Sequence, residues 1–171
     1  MQYTPAPPTV TLTPLSIETA TNTVSTGAPA SAVWPSANRA IFVGFRVWTP
    51  ITVVKMFVVN GTAVSGNIDM AIYDEAGARL TPSISTAQAG TSAIQELNIT
   101  DTQLGVGLFF LALAVDNTTA TVYRKSINVA HLRAARCYQM ASAFTLPATA
   151  TFAAPASSYL PIFGLSTDTV I

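Results

Sequence analysis

The stretch "LGVGLFFLALAV", residues 104–115, decides the fold. A bilayer-spanning helix needs about 20 consecutive apolar residues, and this is the longest apolar run in the chain. Within residues 108–115 both parities are apolar, so neither face of an extended segment could meet water. The run therefore predicts a central β-strand covered on both sides.

Working outward, the neighbouring segments carry the same signal in weaker form. "RAIFVGFRVW" (39–48) and "ITVVKMFVV" (51–59) are rich in Val, Ile, Phe and Trp, and Pro50 separates them. Asn60–Gly61 follows, a pair suited to the positive φ angles of a type I′ hairpin turn, so a hairpin is expected there. "GNIDMAIYDEAGARL" (66–80) alternates, with Asn67, Asp69, Ala71 and Tyr73 on one side and Ile68, Met70 and Ile72 on the other. Its "DEAG" tip (74–77) leads to a further strand in "ARLTPSIST". "SAIQELNIT" (92–100) alternates again, "DNTT" (116–119) is a turn, and "ATVYRKS" is a strand. "INVAHLRAARCYQMASA" (127–143) is the one helix candidate, and without a clean apolar stripe it suits a short helix at most. The segment 146–165, with Pro147, Pro155 and Pro161, suggests loops and edge strands. Short strands with turn signals at roughly 8- to 12-residue spacing predict an all-β fold, an antiparallel β-sandwich of jelly-roll-like type.

Two regions are expected. Residues 1–38 form an extended Pro/Thr-rich arm: they hold six prolines and a single charge, Glu18, with one short strand around Val10 to Leu15. Residues 39–171 form the sandwich. The arm's Thr and Val suit strand addition to another subunit.

Composition narrows the function. Charged residues are 9% of the 171, against roughly 25% in an ordinary soluble protein. Mean hydropathy is +0.44. Eight basic and eight acidic side chains cannot cover the surface of such a domain, roughly 8,000 Å². The doubly apolar strands thus predict a homo-oligomer, a trimer favoured, with copies covering the extra faces. Zero net charge and the lack of a Lys/Arg cluster argue against nucleic acid as a partner. No membrane insertion is expected. The N-terminus lacks a basic flank and an apolar core, which sets the expectation of a protein used without a secretory signal.

Catalytic residue types are scarce. His131 is the sole histidine and has no HxH or HExxH spacing; a structural or surface role is expected. Cys137 is the sole cysteine, so no intrachain disulfide can form, and it reads as a small buried hydrophobe. Asp74 and Glu75 are neighbours whose side chains diverge in an extended chain, so they form a solvated turn rather than an acid/base pair. Asp101 and Asp116 sit in loop-like segments and are candidate calcium ligands together with backbone carbonyls, though no EF-hand spacing is present. The predicted chain is not an enzyme and needs no cofactor or metal. Three Asn-X-Thr sequons, at Asn60, Asn98 and Asn117, follow from the Thr-rich composition. Trp34, Trp48, Tyr73 and Tyr123 are candidate glycan or interface aromatics, with core or interface packing as the competing use.

The pairing of "GNIDMAIYDEAGARL" with "TQLGVGLFFLALAVDN", closed by "LPATATFAAPASSYLPIFGL", resembles phage virion β-sandwich proteins of the head-decoration, head-fibre and tail-fibre type. In those domains the second strand usually carries Tyr where this chain has Phe109–Phe110. The resemblance implies a non-enzymatic structural component of a phage particle, made in the host cytoplasm and located in the virion. Its partners would be itself and capsid or tail proteins. The alternative is a host-recognition or glycan-binding module of the same fold, with a host surface glycan as a further partner.

Overall fold

The computed structural model describes Thr11–Leu12 and residues 28–167. In chain order its elements are β1 Thr11–Leu12, β2 Ala30–Val33, β3 Arg39–Val47, β4 Ile51–Val59, β5 Asn67–Asp74 and β6 Ile84–Ala87. They continue as β7 Ile94–Leu104, β8 Gly107–Val115, β9 Thr121–Lys125, α1 Val129–Ala134, β10 Cys137–Met140, β11 Leu160–Pro161 and β12 Phe163–Ser166. The fold is an all-β antiparallel sandwich. One sheet has the order β1-β12-β4-β7, the other β10-β3-β8-β5-β6, and a three-stranded ribbon β11-β9-β2 flanks them.

Strand β8 is the centre, as its sequence requires. It pairs along its whole length with β3, from Val47↔Gly107 to Arg39↔Val115. On its other edge it pairs with β5, from Asp74↔Phe109 to Ile68↔Val115. Leu111, Leu113 and Val115 point between the sheets, where they join Ile41, Val43, Ile68, Met70 and Ile72 of their own sheet. The opposing sheet supplies Met56, Val58, Leu97, Phe163 and Leu165.

The other parity of β8, Phe110, Ala112 and Ala114, lies in a second core with Ala40, Phe42, Ala71 and Tyr73. Its cover comes from the same chain. Ala143, Leu146 and Ala150 are buried there, with Phe144 and Phe152 packed against them. Alanines at 40, 71, 112 and 114 leave a shallow face onto which a loop can settle closely. Phe152 fills the deeper end, 4.5 Å from the Phe110 ring and 5.2 Å from the Phe42 ring. Covering one Leu such as Leu146 contributes about 1.5–3 kcal/mol. The extra apolar face of β3, β5 and β8 thus needs no second copy, and that argument for an oligomer is removed.

Polar anchors hold this strap, residues 143–152, in register. The Leu146 amide donates to Asp69 Oδ2 at 2.8 Å, and Tyr73 Oη donates to the Pro147 carbonyl at 2.6 Å. The Arg79 guanidinium donates to the Leu146 carbonyl. The Ala150 amide donates to the Gly77 carbonyl at 2.8 Å.

Three expectations are corrected, and the helix candidate 127–143 holds a short helix of six residues. Asn128 caps it by accepting from the Ala130 amide, and Arg136 adopts φ +55, after which β10 pairs with the edge of β3. Asn60–Gly61 is not a hairpin turn: β4 and β5 lie in different sheets, and neither residue has positive φ. The Gly61 amide donates to the Thr121 carbonyl, and an added Cβ would strike Ser31 Oγ and the Thr121 side chain. Close approach, not turn geometry, demands glycine here. The closing segment contributes an interior strand, since β12 sits between β1 and β4 and is buried throughout. Finally, the sandwich begins before residue 39. Strand β2 pairs with β9, and Trp34 is buried in the main core. Strand β1, where a short strand was expected, pairs with β12. The rest of the expected arm, residues 1–10 and 13–27, lies outside the described residues.

Candidate functional site

Two turns meet at one end of the sandwich. Val47 pairs with Gly107 at the end of β3, and Ile51 pairs with Leu104 at the start of β4. The β3–β4 loop, 48–50, and the β7–β8 turn, 105–106, are therefore brought side by side. Pro50, lacking an amide hydrogen, favours the break between the strands. Half-buried Phe45 and Phe109 form a cross-strand pair with ring centroids 5.9 Å apart and pack on the core below. Above them Trp48 is 75% exposed and Val106 63% exposed, the two most exposed large apolar side chains of the described residues.

Arg46 is the charge at this tip. Its guanidinium carbon lies 4.9 Å from the centroid of the Trp48 ring. An exposed contact of this kind is worth about 0.5–1 kcal/mol, little enough that a ligand could redirect the guanidinium. Among the described residues the ion pairs are Lys55–Glu96 at 2.6 Å and Arg136–Glu75 at 3.3 Å, so Arg46 is not neutralised by a carboxylate.

The four predicted aromatics are not brought together. Trp34 is 1% exposed, donates its indole N–H to the Arg39 carbonyl at 3.0 Å and stands edge-on to Tyr159. Tyr73 is fully buried under the strap, and burial pushes its hydroxyl up to about 12. Both are core residues and cannot stack on a sugar. Tyr123 is half-buried in β9. Trp48 alone offers an open ring.

The remaining polar groups are used locally. Asp74 accepts from the Ala78 amide at 2.8 Å inside its turn. Asp116 accepts from the Asn67 amide and side chain and from Asn117. Partial burial raises the Asp116 carboxyl, but those hydrogen bonds outweigh it and hold the group below its ordinary value. Asp101 is in β7 and Asp116 follows β8 of the other sheet, so the two do not converge on an ion. Exposed His131 lies on α1, and buried Cys137 has its thiol pushed up to about 12 by burial.

Two features escaped the sequence reading. An amide network joins buried Asn60 and Gln88 to half-buried Gln95. Gln88 Nε2 donates to Asn60 Oδ1 at 3.0 Å and Asn60 Nδ2 donates to Gln95 Oε1 at 2.9 Å. Its burial also removes Asn60 from use as a sequon acceptor. The second is an opening between β4 and β7, where Val53 pairs with Thr102 but Lys55 with Asn98. One residue of β4 therefore faces three of β7. The resulting notch, about 350 Å³, is lined by Val54, Lys55, Asn98, Ile99 and Asp101. No helix of the described residues is long and apolar enough to cross a membrane. No family model, curated protein or solved structure matches the chain.

Proposed function

We propose that this chain is a non-enzymatic structural component of a phage particle, a capsid decoration or a short head or tail fibre, that self-associates and docks on the virion. The observation that carries the reading is strand order. The sheets β1-β12-β4-β7 and β3-β8-β5-β6, with β10 added beside β3, have first and last strands adjacent and chain crossings between layers. We read that order as a jelly roll, an architecture frequent in viral capsid and lectin domains. The local use of Asp74, Glu75, Glu96 and Asp116 in turns and ion pairs supports a non-catalytic role.

Mass spectrometry of purified particles tests the assignment, together with light scattering of the isolated chain. The expected results are stoichiometric presence in the particle and a mass that is a multiple of 17.9 kDa. Deleting residues 1–10, which leaves the paired Thr11–Leu12 in place, should preserve folding and reduce incorporation if the arm anchors the protein. A monomer absent from particles overturns the reading.

A second reading is favoured by one observation, the exposed ring of Trp48. It is a glycan-recognition module of the same fold, with the tip of the sandwich as its contact.

A further inference from the structure

We propose that the Arg46–Trp48 tip binds a carboxylate-bearing pyranose, the ring stacked on Trp48 and the carboxylate held by Arg46. This rests on the glycan reading and adds the class of sugar. Trp48 remains 75% exposed although Arg46 lies against one face of its ring, so the opposite face is open. A flat, open indole suits the C–H face of a sugar ring, just as it suits a nucleobase or a cation. Arg46 selects among these. Its guanidinium lies beside the ring and has no carboxylate partner among the described residues. A planar guanidinium matches a carboxylate bidentately. An aromatic platform with an adjacent unneutralised fork therefore prefers an anionic sugar to a neutral one.

Size decides against two other occupants. A stable protein interface buries roughly 800 Å² per partner, whereas this tip exposes two large apolar side chains, Trp48 and Val106. Stable membrane anchoring generally needs two signals, such as an apolar insertion with a basic patch. Here a single arginine stands at the tip, and Arg136, between α1 and β10, is already paired with Glu75 of the turn after β5. One ring face is enough for one sugar. Gly105 adds room, since a Cβ there would meet nothing within 4 Å.

The test uses the full chain and isothermal titration with trigalacturonate and sialyllactose, each beside its neutral methyl ester. At least one acid should bind, and its ester should bind about tenfold more weakly. Arg46→Ala should remove the preference for the acid, and Arg46→Lys should restore only part of it. Trp48→Ala should abolish binding, while emission from buried Trp34 verifies that the variant is folded. Equal binding of acid and ester overturns the anionic preference and leaves the glycan reading standing. Failure of all four sugars, or binding that survives Trp48→Ala, removes the site and the glycan reading with it. Trp48-dependent pelleting with phosphatidylglycerol vesicles, without sugar binding, assigns the tip to lipid and overturns the proposal.

Discussion

Tyr73 Oη donates a 2.6 Å hydrogen bond to the Pro147 carbonyl, tying the C-terminal end of β5 to the strap that covers its outer face. The ring also stands edge-on to Phe42 at 5.4 Å, so packing and polar contact are separable. Tyr73→Phe keeps the ring and leaves the Pro147 carbonyl without this donor. The expected loss is about 1–2 kcal/mol by urea unfolding. Tyr73→Ala also opens a cavity and should cost about 3–5 kcal/mol. Equal losses in the two variants would show that the hydrogen bond contributes nothing.

Asp69 makes the same face pH-dependent. Desolvation raises its carboxyl above the ordinary value, against the lowering effects of the Leu146 amide and the Arg79 charge. A raised value means that the folded state holds the proton more tightly than the unfolded state. The associated stabilisation is complete below the unfolded value of 3.8 and is lost as pH rises through the folded value. Asp69→Asn retains an acceptor for Leu146 and cannot ionise. The variant's stability relative to the parent should therefore improve from pH 3 to pH 7. Denaturation curves of both chains across that range check it, and a gap that moves the opposite way refutes it.

How much of this was legible in the sequence depends on which residues touch what. Strand β8 was legible because eight successive apolar residues, 108–115, admit no exposed face. What covered the second face was not, because strap residues such as Ala143, Leu146 and Ala150 have no periodicity to mark them. They are selected by contact with Ala112 and Ala114, which is non-local. Asn60–Gly61 misled for a related reason: the dipeptide has a strong local preference, but the partners that demand glycine are Ser31 and Thr121. Within the helix candidate 127–143 the helix stops short because residues 137–140 satisfy a strand edge whose sequence partner, 40–43, is nearly a hundred residues away. At the candidate site, Trp34 and Trp48 are alike by residue type. Only the fold separates a core indole from an exposed one.

Gly61 offers a direct test of the packing explanation. Gly61→Ala places a methyl group against Ser31 Oγ and the Thr121 side chain and should destabilise by about 1–3 kcal/mol. Gly105→Ala, in open space, should stay within about 0.5 kcal/mol. Thermal unfolding of the pair provides the comparison. If Gly61→Ala is as mild as Gly105→Ala, the close approach of β2 and β9 to residue 61 is not what excludes a side chain there.

Cys137 gives a prediction about reactivity. The thiolate is the nucleophile, and burial pushes the thiol of Cys137 up to about 12, so almost none is ionised near pH 8. Its Sγ–H faces the Ala135 carbonyl at 3.9 Å, a weak contact that does not favour ionisation. Native protein should react with a disulfide reagent far more slowly than chain unfolded in guanidinium, in which a single thiol should titrate promptly. Strand β10 carries Cys137 at the edge of the sheet beside Val43, so labelling also reports opening of that edge. Truncating Leu132, buried in the same core cluster, by Leu132→Ala should destabilise the protein by about 2–5 kcal/mol and accelerate labelling. Prompt labelling of the native parent at pH 8 would mean that β10 opens readily and that the thiol is not held in the core.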